Sequence, residues 1–504
     1  MSLVVLHDIL ACPKPDLDRP AIIDGERNWS FRELRNQVEW LAAAIRAAGA
    51  QRGDRVAILL PKCLEECAAI FAASRADTVF VPINPVLKAQ QIRHILVDSG
   101  ARVLIAGQVQ RDKLGDAFEG IDGLSLLDPK EQHDARPALP ASQNIGQDLA
   151  AILYTSGSTG APKGVMLSNT NLIAGTRIVR TFLSITSDDR ILSILPFSFD
   201  YGLNQLLKAV EQGATIVLFT FQMGDQIVRE LAKHRITGLA GVPTIWSILT
   251  KAAPSLAKTP LPHLRYITNS GGAVPEATVR RLREILPAMQ IFLMYGLTEA
   301  FRSTFLPPEE VDNRPTSIGR AIPECEVFPL TADGRRAKPH EPGILIHRGP
   351  TVSLGYWRRP EATARVIRPN PLRDPTEGGE LVCWSGDLVY EDDDGFLYFV
   401  GRQDAMIKSA GYRISPTEVE DALMLTGAFV QVAAIGIPDE WLGQRLHAVA
   451  VSQQDGIDLD AILKQVSEKL PSHMVPAQIE LVAGLPVTPN GKVDYKRLVA
   501  ERAG

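Results

Sequence analysis

The sequence is poor in three features, and each shortage narrows the class of protein. Its five cysteines are odd in number, scattered and without a CxxC pair, so free thiols in a reduced compartment fit better than a disulfide framework. No uncharged run approaches the roughly 18 residues that a membrane span needs. The formal net charge is −5, so nothing electrostatic indicates a nucleic-acid or anionic-membrane partner.

The N-terminal stretch MSLVVLHDILACPKP also lacks the marks of a targeting segment. It has no basic start, and Asp8 interrupts its apolar run. A first helix is therefore a better interpretation than a signal peptide. Together with the cysteine pattern, this stretch predicts a cytoplasmic protein without a membrane span.

What the chain does have is a globular composition and a regular alternation of elements. With 504 residues it is too long for one ordinary core. Short β-rich runs such as DRVAILL (54–60) and ARVLIA (101–106) alternate with helical patterns such as residues 31–50, where Ser30 and Glu33 predict a capping box. The pattern predicts an α/β fold with a large N-terminal domain of layered, mostly parallel sheets with helices.

The pattern changes near residue 401. The segment from 392 to 420 is turn-rich, and the rest of the chain follows the order helix, strand, strand, helix, strand. We therefore expect a small α+β domain over residues 403–504, after a large domain over residues 1–402.

The stretch YTSGSTGAPKG (154–164) has a composition that neither a helix nor a regular strand favours. Strand-like AAILYT precedes it and GVMLS follows it, so the loop joins two strands, unlike the strand-to-helix GxxxxGK[ST] phosphate loop. Its glycines can turn successive N–H groups toward an anion, its hydroxyls can donate, and Lys163 adds a mobile positive charge. A flexible hairpin tip is the alternative, which the fixed lysine and proline disfavour.

This loop resembles the phosphate loop of the adenylate-forming superfamily, which includes acyl-CoA synthetases, amino-acid adenylation domains and firefly-type luciferases. Four further segments resemble that superfamily's motifs and stand in its order. They are MYGLTEA (294–300), SGDLVYEDDDGFLYFVGR (385–402), GRQDAMIKSAGYRISPTEVE (401–420) and PVTPNGKVDYKRL (486–498). The resemblance spans most of the chain.

The resemblance implies an ATP-dependent reaction in two steps. A carboxylate attacks the α-phosphate of ATP to give an acyl-adenylate and pyrophosphate, and a thiol then takes the acyl group and releases AMP. It implies ATP and Mg²⁺ as cofactors and assigns Glu299 to the metal and Thr298 to the α-phosphate. The residues it assigns to ATP are Thr155, Ser156, Gly157, Ser158, Thr159, Gly160, Lys163, Gly271, Gly272, Ala273, Tyr295, Gly296, Asp387 and Arg402.

Within that set the resemblance gives individual roles. The loop from Thr155 to Lys163 is expected to hold the β- and γ-phosphates. Asp387 and Arg402 are expected to bind the ribose, and Tyr295 to stack on adenine. Taken alone, an aspartate in a turn and an arginine in a surface ion pair are common structural features, so these assignments depend on the resemblance.

Lys492 is expected to be the principal catalytic residue. It follows Pro489-Asn490-Gly491, a turn that can project it, and would bridge the carboxylate and the α-phosphate. The resemblance also implies that the small domain is mobile and rotates between the two steps. Asp404 matches the hinge, and Gly411 would leave room for a pantetheine arm.

The acid pocket departs from many acyl-CoA synthetases. Where these carry an aromatic-His pair, this chain has LPFSFDYG (195–202), which places Phe199 at the histidine position. Asp200 resembles the aspartate that pairs with the substrate ammonium in amino-acid adenylation domains. Pairing with a protein cation or capping of the following helix is equally compatible. Tyr201, Asn204 and GVPTIW (241–246) are further pocket candidates, although Trp246 could equally be core.

The expected protein is thus an acid–thiol ligase that forms AMP. The thiol is coenzyme A or the phosphopantetheine of a carrier protein acting in trans, and the acid is a carboxylic or an amino acid. A stand-alone amino-acid adenylation enzyme is the alternative, and a luciferase-like mono-oxygenase is a remote one; the C-terminal ERAG is not the peroxisomal SKL.

Overall fold

The computed structural model describes residues 3–12, 14, 16–130, 139–155, 162–374, 376, 378–403, 406–409, 412–439, 441–452 and 456–502. The side chains of residues 116, 117 and 413 are also outside the description. Within these ranges the chain forms three sheets, two in the first 402 residues and one after them.

The strands and helices are numbered in chain order. The strands are β1 (Pro20–Asp24), β2 (Arg27–Ser30), β3 (Arg55–Leu59), β4 (Val79–Pro82), β5 (Ala101–Ala106), β6 (Ser125–Leu127), β7 (Leu149–Thr155), β8 (Lys163–Ser168), β9 (Arg190–Ser193), β10 (Thr215–Leu218), β11 (Gly238–Gly241), β12 (Tyr266–Asn269), β13 (Gln290–Tyr295), β14 (Thr304–Leu306), β15 (Ser317–Ala321), β16 (Glu326–Leu330), β17 (Gly343–Arg348), β18 (Ile367–Pro369), β19 (Leu381–Glu391), β20 (Leu397–Arg402), β21 (Ile407–Ser409), β22 (Tyr412–Ile414), β23 (Gln431–Asp439), β24 (Gly443–Val451) and β25 (Gln478–Leu481). The helices are α1 (Asp8–Ala11), α2 (Phe31–Ala47), α3 (Leu64–Arg75), α4 (Ala89–Ser99), α5 (Gln108–Leu114), α6 (Asn169–Phe182), α7 (Asp200–Gln212), α8 (Gly224–Lys233), α9 (Pro243–Lys251), α10 (Glu276–Ile285), α11 (Pro360–Val366), α12 (Pro416–Met424), α13 (Leu459–Ser467) and α14 (Tyr495–Ala500).

The α2 helix begins as the sequence predicts. Ser30 Oγ accepts a hydrogen bond from Glu33 N at 3.2 Å, and Glu33 Oε2 accepts one from Ser30 N at 2.7 Å. This reciprocal pair is a capping box, which satisfies two N–H groups that the first turn leaves without helical partners. The apolar side chains of α2 then face the core.

The first sheet has the order β6-β5-β3-β4-β7-β8. Its pairs are parallel except β7 with β8, which are separated by only seven residues in the sequence and run antiparallel. A short connection permits only antiparallel pairing, whereas parallel neighbours need a crossover, here supplied by helices such as α3 and α4.

The second sheet continues from β2 through β1, β10, β9, β11, β12, β13, β14, β15, β20, β19 and β17 to β16, and β18 pairs with β19. From β1 to β13 its pairs are parallel, and α7 to α10 make the crossovers. From β14 onward the pairs are antiparallel, because the connections no longer contain crossover helices. The α/β prediction is confirmed, and its parallel part ends at β13.

The third sheet lies wholly in the last hundred residues. It has the order β22-β21-β24-β23, and β25 pairs in parallel with β24. The elements α12, β23, β24, α13 and β25 follow the predicted order, and apolar clusters of their own pack against the sheet. Strand β20 ends in the second sheet and β21 begins in the third, while the division at residues 402 and 403 stays a prediction.

No helix among the described residues is both long enough and apolar enough to span a bilayer.

Candidate active site

The flanks of the predicted phosphate loop are cross-strand neighbours. Thr155 ends β7 and pairs with Lys163, which begins β8. The loop residues between them that the sequence singles out, namely Ser156, Gly157, Ser158, Thr159 and Gly160, lie outside the described residues. The Lys163 ammonium lies 5.5 Å from the centroid of the Tyr356 ring.

Tyr356 connects this lysine with the predicted metal residue. Its hydroxyl donates a hydrogen bond to Glu299 Oε1 at 2.6 Å. Burial raises the pKa of the Tyr356 hydroxyl, and the negative charge of Glu299 raises it further, so the tyrosine stays a donor. Tyr356 orients the Glu299 carboxylate, a role that no sequence motif indicates.

Thr298 and Glu299 occupy a 3₁₀ turn directly after β13. The Thr298 hydroxyl donates to Asp200 Oδ1 at 3.4 Å, and the Glu299 carbonyl accepts from Ser353 N at 2.8 Å. The turn therefore brings two predicted site residues to the carboxyl edge of the parallel strands, where ligands of open α/β sheets bind.

The predicted ribose residues form a compact polar group. Asp387 on β19 and Arg402 on β20 are direct cross-strand partners, and Arg402 Nε lies 3.6 Å from Asp387 Oδ1. Tyr295 donates its hydroxyl to Asp387 Oδ2. Burial and the adjacent Asp387 charge together raise the pKa of Tyr295. The Tyr295 ring stacks at 6.1 Å on His347, a buried residue that sequence reasoning missed.

The NSGGAVP segment turns sharply after β12. Gly271 has φ +86°, and a Cβ atom there would lie 2.8 Å from Lys492 Cε, so only glycine fits this position without displacement. The carbonyl of Gly272, next to Ala273, accepts from Asn269 Nδ2 at 2.9 Å. Asn269 Oδ1 in turn accepts from Trp246 Nε1 at 2.9 Å, so the buried Trp246 supports this turn.

Lys492 reaches this turn from the C-terminal part of the chain. Its own turn is closed by the bond from Gly491 N to the Thr488 carbonyl at 2.9 Å. Thr244 Oγ1 donates to the Gly491 carbonyl at 2.9 Å, and Asn84 Nδ2 donates to the Pro489 carbonyl at 3.2 Å. These two bonds hold the lysine turn against the large N-terminal part.

The Lys492 ammonium lies among charged groups of the site. It is 5.0 Å from the centroid of the Phe199 ring, the position that the sequence assigned to the family histidine. Burial lowers the pKa of Lys492, and Arg302 lowers it further, while Asp200 and Glu299 oppose the shift. The arrangement brings the Lys492 ammonium close to Phe199 and within the electrostatic influence of Asp200 and Glu299.

Asp200 is paired with a protein cation. Arg302 Nη1 lies 3.2 Å from Asp200 Oδ2, and both side chains are almost fully buried. Asp200 begins α7, but Phe199 occupies its N-cap position, so Asp200 is not the capping residue. Of the partners that the sequence left open for Asp200, the structure has the protein cation. Sequence reasoning missed Arg302, although it follows the MYGLTEA motif by two residues.

The remaining predicted pocket residues line the same helix. The Tyr201 hydroxyl hydrogen-bonds the Thr268 carbonyl at 2.6 Å, and Asn204 Nδ2 lies 3.5 Å from the Gly175 carbonyl. Both side chains are buried. The predicted hinge residue Asp404 and tunnel residue Gly411 lie outside the described residues.

The geometry suits attack of an acid on a polyphosphate. It combines a cationic residue, a carboxylate beside a hydroxyl, and a polar pair on adjacent strands at one sheet edge. Among the described residues no three His, Cys, Asp or Glu side chains cluster as a metal site. A magnesium ion would therefore depend on Glu299 together with phosphate oxygens, which is a common arrangement for this ion.

Comparison with known proteins agrees with this geometry. Residues 11–357 match the AMP-binding enzyme family, and residues 418–492 match the AMP-binding enzyme C-terminal domain. A feruloyl-CoA synthase from an Amycolatopsis species is 32% identical over 477 residues, covering 94% of each chain. A long-chain-fatty-acid–CoA ligase from Salmonella typhimurium is 29% identical over 534 aligned residues, covering 97% of this chain and 92% of that one.

The fold has equally extensive likeness to solved structures. The structure of ATP-bound MatB from Rhodopseudomonas palustris matches with a TM-score of 0.89 and 26% identity, and the match covers 98% of both chains. The two matched family segments together include most of the chain, and both contribute residues to the candidate site. The chain therefore belongs to the AMP-binding enzyme family, as an ATP-dependent acid–thiol ligase that forms an acyl-adenylate and releases AMP.

Proposed function

We propose that this enzyme joins a carboxylic acid to the thiol of coenzyme A, with Lys492 as the residue that promotes the first step. The observation that carries the proposal is the position of the Lys492 side chain, with Cε against the Gly271 turn and the ammonium 5.0 Å from Phe199. The lysine comes from the C-terminal part of the chain, yet it reaches the carboxyl edge of the large sheet. This position suits a residue that takes part in the reaction at that edge.

In the first step a carboxylate oxygen of the acid forms a bond to the α-phosphorus of ATP. The bond from that phosphorus to the bridging oxygen breaks, and pyrophosphate leaves with the electron pair. Negative charge on the oxygens around phosphorus increases in the transition state, and the Lys492 ammonium stabilises it there more than in the ground state. The Thr298 hydroxyl, which donates to Asp200 Oδ1 at 3.4 Å in this structure, would turn its single proton to the same oxygens when ATP is bound.

Glu299 is the residue that would hold Mg²⁺. Its Oε1 is oriented by Tyr356 at 2.6 Å, so the carboxylate is fixed beside Lys163, whose ammonium is 5.5 Å from the same tyrosine ring. When bound, the metal ion neutralises phosphate charge and favours departure of pyrophosphate. The side chains of Lys163 and Glu299 thus supply one positive and one metal-binding group to the same part of the site.

The other ATP contacts follow the assignments made from sequence. We assign the phosphates to Thr155, Lys163 and the loop between them, the ribose to Asp387 and Arg402, and the adenine to the Gly271–Ala273 turn with Tyr295 and Gly296. The Tyr295 hydroxyl bonds Asp387 and one face of its ring stacks on His347, so we assign the opposite ring face to adenine. The division into residues 1–402 and 403–504 belongs to this proposal.

In the second step the thiolate sulfur bonds to the acyl carbon and AMP leaves with the electron pair. The large part holds the turn that carries Lys492 through two hydrogen bonds, from Thr244 and Asn84. Each such bond contributes about 0.5–1.5 kcal/mol, so withdrawal of the turn costs little. A rotation about Asp404 that brings Gly411 to the acyl group is the corresponding proposal for this step.

Coenzyme A is favoured as acceptor because the full-length relatives compared above are named as CoA ligases. The amino-acid alternative is less favoured because Arg302 already neutralises Asp200, so no substrate ammonium is needed there. These relatives also favour a ligase over a luciferase-like mono-oxygenase. A cytoplasmic location stays a prediction, which the five free cysteines support.

The test separates the two steps. Lys492→Ala is expected to lower acid-dependent exchange of pyrophosphate into ATP at least about 100-fold, since loss of one charge-stabilising group has this effect on acyl-transfer enzymes. Attack of coenzyme A on supplied acyl-adenylate is expected to change little. The control is Lys464→Ala, an exposed lysine on α13 of the same small domain.

Equal loss of both steps in Lys492→Ala would contradict the assignment of Lys492 to adenylation. Thioester formed with a carrier protein but not with coenzyme A would contradict the choice of acceptor while leaving the adenylation step intact.

A further inference from the structure

One face of α7 carries polar side chains into the protein interior. Asp200, Asn204 and Lys208 are spaced by four residues and therefore lie on one stripe of the helix. Their exposed fractions are 4%, 1% and 0%. A polar stripe of this kind is costly to bury unless each group finds a partner.

Among the described residues, Lys208 has no such partner. Its Nζ atom has no hydrogen-bond partner among the described residues. The centroid of the Tyr266 ring, on β12, lies 6.0 Å from this Nζ atom, and the Tyr266 hydroxyl likewise lacks a hydrogen-bond partner in the described part of the chain. An ammonium at full burial without an acceptor points to a ligand that supplies one.

Arg302 lies on the same side of α7 and is only partly satisfied. Its Nη1 pairs with Asp200, while Nε and Nη2 have no partner within the described ranges. Its guanidinium lies 4.8 Å from the centroid of the Tyr201 ring, one helical turn from Asn204. Asn204 Oδ1 and the hydroxyl of buried Ser303 are also without partners there.

The local charge is therefore unbalanced. Burial lowers the pKa of Lys208 to about 7, and the positive charge of Arg302 lowers it further, while Asp189 opposes the shift. Asp189 cannot serve as the missing partner, because its oxygens already accept two bonds from Arg265 Nη2 at 2.8 Å and one from Thr237 at 2.6 Å. Arg302 is paired with Asp200, whereas Lys208 has no carboxylate within hydrogen-bond distance among the described residues.

We propose that Lys208 and Arg302 bind a second anionic group at the far end of the acid substrate, so that the preferred substrate is a dicarboxylic acid. The inference rests on the proposed function, because it takes the acid to enter beside Lys492 and Asp200. Lys208 lies eight residues further along α7, about 12 Å deeper at 1.5 Å per residue. The reacting carboxylate stays near Lys492, and the distal carboxylate supplies the acceptor that Lys208 and the free edge of Arg302 lack.

The test compares acids that differ only in the distal group. Pyrophosphate exchange is measured with dicarboxylates from succinate to suberate, each beside the monocarboxylate of the same carbon number. Wild-type enzyme is expected to prefer one dicarboxylate over its matched monocarboxylate by about 10- to 100-fold in kcat/KM, as expected for one charge-assisted hydrogen bond in a buried site.

Lys208→Met keeps the length of the side chain and removes its charge. It is expected to abolish this preference by raising KM for the dicarboxylate, with kcat/KM for the monocarboxylate unchanged or higher. The matched control is Lys14→Met: Lys14 also has a pKa lowered by burial, to about 8, but its ammonium donates to the carbonyls of Ile9 and Glu211 at 3.1 and 2.9 Å. The control is expected to keep the preference.

Each result has a distinct meaning. A wild-type enzyme that prefers monocarboxylates, or a Lys208→Met variant that loses both acids equally, would overturn the inference and leave the proposed ligase reaction intact. Exchange with no acid of any class would overturn the proposed reaction itself. If Lys208→Met does not fold, Lys208→Arg decides the matter, because a retained preference supports a charge-based contact and a lost one contradicts it.

Discussion

Two sides of the same site satisfy their polar groups in different ways. On the proposed nucleotide side, Tyr295 and Arg402 contact Asp387, and Tyr356 donates to Glu299, while the ring nitrogens of buried His347 have no hydrogen-bond partner among the described residues. On the acid side, Asn204, Lys208, Arg302 and Ser303 carry buried polar atoms that have no partner among the described residues. Side chains on the nucleotide side are held in place by one another before a ligand binds. On the acid side, polar atoms are left for a bound ligand to pair with.

The difference follows from what each side has to recognise. ATP presents many polar groups, and the side chains that bind them must be oriented before it arrives, because orientation achieved beforehand reduces the entropy lost on binding. An acid that carries a distal anion offers one group deep in the protein, and a protein acceptor placed there would compete with it. If the dicarboxylate proposal holds, the unpaired Lys208 ammonium is what selects the distal anion.

The largest effect is expected from breaking the ion pair between Asp200 and Arg302 on the acid side. Arg302→Met leaves Asp200 buried without its cation, so the free energy of unfolding is expected to fall by about 3–5 kcal/mol. The double variant Asp200→Asn with Arg302→Met is expected to recover most of that loss. Denaturant unfolding measures both.

The control for this prediction is Arg280→Met, which removes the cation of the exposed Arg280–Glu276 pair on α10. It is expected to cost less than about 1 kcal/mol. If Arg302→Met costs no more than the control, the Asp200–Arg302 pair is not desolvated and the comparison between the two sides fails.

A smaller effect is expected on the nucleotide side. Asp387→Asn removes the charge that Tyr295 and Arg402 contact, so KM for ATP in pyrophosphate exchange is expected to rise by about 10- to 100-fold, which corresponds to 1.5–3 kcal/mol. KM for the acid is expected to stay the same. Asp393→Asn, at an exposed aspartate near His340, serves as the matched control. An equal rise in KM for acid and ATP would contradict the separation of the two sides.

The smallest effect concerns the turn where the two sides meet. Gly271→Ala forces a Cβ into a residue at φ +86° and to within 2.8 Å of Lys492 Cε. The backbone strain costs about 1–2 kcal/mol, and displacement of Lys492 is expected to lower kcat for adenylation by about 10-fold with little change in either KM. Gly334→Ala, at φ +83° in open surroundings, carries the backbone strain alone and isolates the contribution of Lys492. An unchanged kcat in Gly271→Ala would show that Lys492 does not need this turn.

Local patterns explain why much of the fold was predictable. Ser30 and Glu33 lie three residues apart, and their reciprocal bonds depend on the first turn of one helix. The strand on each side of the phosphate loop and the order of elements in the C-terminal part likewise follow from short-range periodicity. The sequence did not show where the second sheet changes from parallel to antiparallel pairing. The direction of pairing depends on the connections between strands, and these leave no periodic pattern in the sequence.

The acid side shows where such reasoning ends. The helix that carries Asp200, Asn204 and Lys208 is evident from the sequence, but Arg302 lies about a hundred residues later, and nothing local indicates that it turns toward α7. Thr244 and Asn84 are still further from the lysine turn that they hold, at 247 residues from Gly491 and 405 from Pro489.

By itself, the sequence determined the family and the α/β framework, because short motifs and local periodicity indicate both. The catalytic role of Lys492 and the roles of the nucleotide motifs stay predictions. Only the tertiary structure decided the partner of Asp200, the isolation of Lys208 and the arrival of Lys492 beside Gly271. These depend on which side chains long-range packing brings together, and on whether burial leaves a charged group with an acceptor. A linear sequence does not record either property.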